Sequence, residues 1–161
     1  MQFLIVILIS LAIIVPIVIV AQKKHEQLVA EGSIVERKID FVEKAEIYTI
    51  KKLEDFSPVT NGVMNFNYGD IRCTLDGDKA KQTYHFKGGD WSADLWLVGN
   101  SETETVYRFE FANWSERRGI PYSAVNMNKL ETAVEKLFMS IDPNAMVRAE
   151  KIEYKTNHSF I

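Results

Sequence analysis

The stretch 105-TVYRFEFAN-113 places Tyr107, Phe109 and Phe111 in strict alternation with Val106, Arg108 and Glu110. Successive side chains of a strand point to opposite faces, so this pattern predicts a strand with an aromatic face turned to a core and a mixed face turned away from it. Just upstream, 91-WSADLWLV-98 repeats the pattern, with Trp91, Ala93, Leu95 and Leu97 on one face and Ser92, Asp94, Trp96 and Val98 on the other. The polar turn Gly99–Glu104 joins the two, and short strands at this spacing predict an antiparallel meander.

Working upstream, Lys81–Lys87 and Ile71–Leu75 read as two further strands joined through Asp76-Gly77-Asp78-Lys79. A turn centred on Gly77-Asp78 pairs Cys73 with Gln82 and Ile71 with Tyr84. It gives Ile71, Cys73, Leu75, Ala80, Tyr84 and Phe86 one face, and Arg72, Thr74, Lys81, Thr83, His85 and Lys87 the other. Before this hairpin, Met64–Tyr68 reads as a strand, Glu54–Gly62 as a loop because of Ser57-Pro58 and Asn61-Gly62, and Ile47–Lys52 as a first strand.

Downstream, 114-WSERRGIP-121 reads as a loop. Met127, Leu130, Val134, Leu137, Phe138 and Ile141 then recur at helical spacing, with Asn128, Glu131, Thr132, Glu135 and Lys136 on the opposite, solvent side. Asn126 or Ser123 caps this helix and Asp142-Pro143 stops it. Val147–Lys155 reads as a last strand at or near a sheet edge, and Thr156–Ile161 as a frayed end.

The other end of the chain differs in kind. Residues 1–21 carry no charged side chain, and from Phe3 to Ala21 only Ser10 and Pro16 interrupt a run of apolar residues. At 1.5 Å per residue that run covers about 28 Å, close to the hydrocarbon thickness of a bilayer, and predicts a membrane-spanning helix. A cleaved signal peptide fits less well: the run is too long, no basic residue precedes it, and Ile19-Val20-Ala21 is a poor cleavage site. Lys23, Lys24, Arg37 and Lys38 all follow the run, so the positive-inside rule puts the globular domain in the cytoplasm. The alternative is an uncleaved signal anchor that exports the domain. Residues 22–31 continue the helix and Gly32 ends it; Ser33 and Glu36 have the spacing of a capping box, and Val35, Ile39 and Val42 predict a connector helix over 34–45.

The expected fold is therefore α+β: an N-terminal single transmembrane helix (1–21), juxtamembrane and connector helices (22–45), and a globular domain (46–161). In that domain an antiparallel sheet of five or six strands packs against one long α-helix.

Among 161 residues, 19 are basic and 22 acidic, and no basic stripe is interleaved with aromatics, which argues against nucleic-acid binding. Cys73 is alone and forms no intramolecular disulfide. The derived hairpin puts Cys73 and His85 on opposite faces, so Cys73 reads as a small buried apolar residue rather than an activated thiol. His25, His85 and His158 lack metal-ligand spacing, Asp70, Asp76 and Asp78 lack that of a calcium loop, and Gly88-Gly89 does not lead from strand to helix as a phosphate cradle does. Asp94 and Glu110 form the one carboxylate pair worth naming for acid–base chemistry. No catalytic, cofactor-binding or metal site is predicted, and the reading leans away from an enzyme.

What stands out is apolar and Arg-rich material on the outward side: Trp96, Val98, Val106, Trp114, Arg117 and Arg118, the residue types of interaction surfaces. The expectation is a membrane-anchored interaction or scaffold domain, bound to the bilayer through residues 3–21 and to a protein partner through that surface. The alternative is a membrane-tethered small-ligand or lipid-binding domain, with an apolar cavity under Met127–Ile141.

Overall fold

The computed structural model describes residues 2–152 and 157–159, with side chains described for residues 12–152, and the chain divides into two units, 1–36 and 37–161. In the first unit a single helix, α1, runs from Gln2 to Ala30 with Pro16 inside it. It ends as the sequence predicts: Gly32 takes a left-handed φ of 69°, and the amides of Gly32 and Ser33 bond back to the carbonyls of Val29 and Leu28. Among the described residues no helix is long and apolar enough to cross a membrane. Of the expected span, the side chains of residues 3–11 lie outside the described residues.

The connector helix expected over 34–45 does not form. A 3-10 turn, Ile39–Glu43, leads directly into strand β1 (Lys44–Lys51), and Ser33 donates its amide to Leu28 instead of opening a new helix. Two constraints shorten the segment: Phe41 and Val42 are buried in the core, and from Lys44 the chain is already committed to a strand paired on both sides.

The second unit is built on an eight-stranded sheet, where five or six strands were expected. After β1 come two helices, α2 (Ser57–Met64) and α3 (Tyr68–Ile71), then the meander β2 (Thr74–Asp78), β3 (Thr83–Lys87), β4 (Trp91–Asn100) and β5 (Glu104–Arg117). A two-residue strand β6 (Ile120–Pro121), the long helix α4 (Ala124–Ile141), β7 (Met146–Lys151) and β8 (Asn157–Ser159) complete it. The strand order is β2-β3-β4-β5-β1-β7, antiparallel throughout, while β8 pairs in parallel with residues 114–116 of β5. The last strand, expected over 147–155, is β7 at the sheet edge; residues 153–155 lie outside the described residues, and 157–159 pair with β5 where a frayed end was expected.

Helix α2 takes the place of the loop expected over 54–62, and in place of the strand expected over 64–68 the chain turns from the end of α2 into α3. Ser57-Pro58 is a start signal here: Asp55 accepts hydrogen bonds from the amide and hydroxyl of Ser57, and proline fits the first helical turn, where its missing N–H costs nothing. Gly62 lets α4 pack closely, since a Cβ there would lie 2.1 Å from Leu137 Cδ1 and the leucine side chain would have to move. The hairpin turn lies at Lys79–Gln82 rather than Gly77-Asp78, so that Leu75 pairs with Phe86 and Gly77 with Tyr84. The shift is an even number of residues, which leaves Leu75, Tyr84 and Phe86 on the face expected for them.

The aromatic face of β4 and β5 is the core. Trp91, Ala93, Leu95, Tyr107, Phe109 and Phe111 are buried together with Tyr48 and Ile50 of β1 and with Met127, Leu130, Val134 and Phe138 of α4. Phe138 stacks on Tyr48 at 4.5 Å between ring centroids and lies 5.1 Å from Tyr107. Strand β5 runs four residues further than expected because a bulge resets its phase: Ala93 pairs with Phe111 but Ser92 with Asn113, leaving Ala112 as the extra residue. After it, even-numbered Trp114 points to the same side as odd-numbered Phe111, pairs with Trp91 and is 2% exposed. The expected loop 114–121 is thus strand followed by a tight hairpin whose centre, Arg118-Gly119, has φ of 54° and 75°, as such two-residue turns require.

This phase reset separates the two tryptophans energetically. Trp114→Ala should cost about 3–5 kcal/mol of unfolding free energy, the range for emptying a buried large aromatic site, and Trp96→Ala less than half as much. Urea denaturation of the two variants checks this; equal losses would place Trp114 outside the core.

Candidate functional site

Helix α4 turns an apolar stripe to the sheet, and beside it a polar stripe that is also buried. Asn128, Glu131 and Thr132, expected on the solvent side, are all buried, whereas Lys136 is exposed as expected. The reason is Arg37, some ninety residues upstream. Its guanidinium donates to Asn128 Oδ1 at 2.8 Å and Thr132 Oγ1 at 2.9 Å, pairs with the Glu135 carboxylate, and places Nε 3.5 Å from Glu131 Oε2. Residues three, four and seven apart share a helix face, so one extended arginine spans the whole stripe.

Strand β1 closes the cluster from the sheet. Glu46 lies opposite Phe109 in the β1–β5 register, which turns its carboxylate toward the core side, where it accepts a hydrogen bond from Tyr48 Oη and shares one with Glu131. Burial, with the Glu46 charge beside it, pushes the Glu131 carboxyl up to about 9 against the opposing pull of Arg37, so at neutral pH it holds its proton. The Tyr48 phenol is pushed up by the same two causes, burial first and Glu46 second. Glu131 Oε2 is shielded and makes no hydrogen bond, its ion pair with Arg37 Nε being its polar contact, and Glu131 is among the residues that line a cleft of about 190 Å³ with Arg37, Asp40, Phe41, Lys44, Glu46 and Ala149.

A second, larger cleft lies at the β2–β3 edge. It holds about 480 Å³ between Met64 of α2, Tyr68 of α3, Cys73, Leu75 and Tyr84, with Asp76 and Lys79 among its polar lining residues. Its wall is braced from within by Gln82, a buried residue at a left-handed φ of 53°. Both Tyr84 Oη and Tyr107 Oη donate to Gln82 Oε1, at 3.0 and 2.9 Å, and Gln82 Nε2 donates to Thr60 Oγ1 and to the Lys79 carbonyl. Cys73 is buried in this wall and desolvation pushes its thiol up to about 11, so it is an apolar lining atom and not a nucleophile at neutral pH. The cleft is not where a cavity was expected: the space under α4 is filled by the rings of Tyr48, Tyr107 and Phe138.

The six residues predicted as one outward surface are not brought together. Trp114 is in the core, with its Nε1 donating to Glu116 at 2.8 Å. Trp96 is half-buried under the Arg108 guanidinium, 5.8 Å from its ring centroid, and Arg108 is itself tied to Glu110 and Glu150. Val98 is the extra residue of a second bulge, 56% exposed, with Val106 close by in the β4–β5 pairing. Arg117 and Arg118 sit at the hairpin tip eleven residues along β5, about 35 Å from Val106. Asp94 and Glu110 lie opposite each other in the β4–β5 register, but Glu110 is bound to Arg108 and Asp94 pairs with His85 Nδ1 at 2.5 Å. Among the described residues no group of three His, Cys, Asp or Glu side chains is spaced to hold a metal ion.

The proton on Glu131 has a signature in stability. The carboxyl ionises near its ordinary value of 4.5 in the unfolded chain and near 9 in the folded one, so between these values only the folded state keeps the proton. Stability should fall as pH rises through that window, by at most about 1.4 kcal/mol per pH unit from this group, and level off above it. In Glu131→Gln, which keeps the shape and can still donate to Glu46, this slope should vanish; denaturant melts from pH 5 to 9 check it, and an unchanged slope would assign the proton elsewhere.

No protein-family model, curated protein or solved structure matches the chain.

Proposed function

We propose that this protein is a membrane-tethered, non-catalytic domain that binds a small, mainly apolar ligand in the cleft at the β2–β3 edge. The observation that carries the reading is the cleft itself. Its volume, about 480 Å³, falls in the range of small-molecule sites, and its lining of Met64, Tyr68, Cys73, Leu75 and Tyr84 beside a few polar groups is the composition such sites use. Its wall is held by the Gln82 network, so the site is preformed and little ordering opposes binding.

The tether is supported by residues 12–20, apolar throughout and exposed on every side of α1, so that no stripe is reserved for packing on protein. The sequence continues that run back to Phe3. Lys23 and Lys24, exposed where the run ends, favour a cytoplasmic domain.

Binding is tested with the full chain in phosphatidylcholine vesicles, titrated with decanoate and followed by methyl NMR of Met64 and Leu75. Saturable shifts confined to the cleft are expected, with affinity lowered at least tenfold, about 1.4 kcal/mol, in Leu75→Asp. Absence of saturable shifts, or binding indifferent to Leu75→Asp, overturns the assignment. Alkaline carbonate extraction tests the tether: the chain should stay with the membrane, and deletion of residues 2–21 should release it.

A second reading, a protein-interaction domain, rests on Val98, exposed at its bulge beside Val106 on the outward sheet face. A photo-crosslinker at position 98 that captures one membrane partner, with cleft variants unaffected, would favour it.

A further inference from the structure

Strand β7 ends the strand order, with β1 on one side and, among the described residues, no strand on the other. One bond fixes which of its main-chain groups are used. Ile152 donates its amide to the Glu43 carbonyl, and the β1–β7 register continues from there through Lys44 and Lys151 without a shift. Peptide groups alternate sides along a strand, so Met146, Arg148 and Glu150 aim their N–H and C=O at β1, while Val147, Ala149 and Lys151 aim theirs away from the sheet. The amide of Lys52, bonded to Thr103 on the β5 side, keeps the same alternation along β1. Val147, Ala149 and Lys151 are exposed, and among the described residues no hydrogen bond reaches their outward groups.

We propose that β7 pairs antiparallel with β7 of a second copy of this chain, across a twofold axis at Ala149. Charge selects this register. Both strands offer odd-numbered residues to the seam, so an axis between two residues would set odd against even and leave the seam unbonded. With the axis at Arg148, arginine faces arginine; at Glu150, glutamate faces glutamate; at Lys151, lysine faces lysine. An axis at Val147 leaves only the first residues of the strand overlapping. With the axis at Ala149, Arg148 faces Glu150 twice, while Ala149 faces Ala149 and each Val147 faces Lys151 as hydrogen-bonded pairs.

The single chain leaves Arg148 able to make this pair. Its side chain is 73% exposed and its Nη2 lies 2.7 Å from Glu150 Oε1 of its own strand, while Arg108 Nη1 donates to the other oxygen at 3.0 Å. Residues two apart on a strand are separated by about 6.6 Å, whereas facing residues bring their Cβ atoms to about 4.5–5.5 Å, so Arg148 reaches the facing Glu150 without displacing Arg108 from it. The small Ala149 side chain on the axis lets the two strands approach, and the two Lys151 residues fall at opposite ends of the seam. The other end of the sheet lacks this match: the charged residues of β2 are Asp76 and Asp78, both acidic, so two copies of that edge repel. The twofold axis closes the assembly at two chains. The inference uses neither the cleft at the β2–β3 edge nor the apolar run of α1.

Cysteine linking of the full chain in phosphatidylcholine vesicles, oxidised by copper phenanthroline in air, tests the register. Ala149→Cys places its own copies about 5.5 Å apart between Cα atoms and should form an intermolecular disulfide, while the native chain, whose Cys73 is buried, should not. Arg148→Cys and Glu150→Cys, whose copies lie diagonally at about 7–8 Å, should link at least tenfold more slowly. Adding Arg148→Glu to the Ala149→Cys chain should slow linking about tenfold, and adding Glu150→Arg to both should restore it. Ala149→Pro removes an outward N–H that β1 does not use. Sedimentation of the full chain in density-matched micelles should therefore show monomer and dimer for the native chain but monomer alone for this variant, with unchanged near-ultraviolet circular dichroism; if the proline variant does not fold, the charge swap decides. Linking faster at 148 or 150 than at 149, linking indifferent to charge reversal, a purely monomeric native chain, or assemblies larger than a dimer overturns the proposal.

Discussion

The pairing of β4 with β5 is the constraint from which the rest of the second unit follows. Trp91, Ala93 and Leu95 on one strand and Tyr107, Phe109, Phe111 and Trp114 on the other make a continuous aromatic floor, and every helix of the unit takes its position from the need to cover it. A perfectly regular strand pair would have turned Trp114 to solvent. The extra residue at Ala112 lets a strand of fourteen residues keep its indole, Trp114, and its three other rings, Tyr107, Phe109 and Phe111, on the same side.

Covering that floor creates the polar problem solved by Arg37. Glu46 occupies a core-facing position of β1 because the strand's alternation gives it the same side as Tyr48 and Ile50. A carboxylate there is tolerated because Tyr48 donates to it and Glu131, held neutral, donates as well. Arg37 then satisfies the remaining polar groups of α4 and fastens the segment before β1 against the helix. Buried charge of this kind adds little net stability over an apolar replacement, but breaking it by removing one partner is costly.

Much of the meander was legible. Alternation named the buried faces of β3, β4 and most of β5, and the 3.6-residue period named the apolar stripe of α4, because both signals are local and repeat several times. Four features were not. Ser57-Pro58 looks the same at the start of a helix as in a loop until Asp55 is seen accepting from the Ser57 amide, and Gly62 looks like a breaker until Leu137 is seen against it. A bulge is a single extra residue, with no composition of its own at Ala112. The hairpin register depended on where the turn fell, and that was decided by Gln82, whose left-handed backbone aims its amide at Tyr84 and Tyr107. The polar stripe Asn128, Thr132, Glu135 was visible as a pattern, yet nothing near it indicates Arg37.

By itself the sequence determined which residues are apolar, how they repeat, and where charge is excluded; these set the antiparallel sheet, the long helix and the uncharged first 21 residues. Tertiary structure alone decided which polar residues are buried, since burial of Glu131 requires Arg37, Glu46 and Tyr48 to arrive from elsewhere in the chain. It also decided that the six outward candidates divide among a core, a sheet face and a hairpin tip, and that the clefts lie at the β2–β3 edge and beside Glu131. The physical reason is the same in each case: periodicity reports the face a residue takes on its own element, and only packing between distant elements fixes what that face meets.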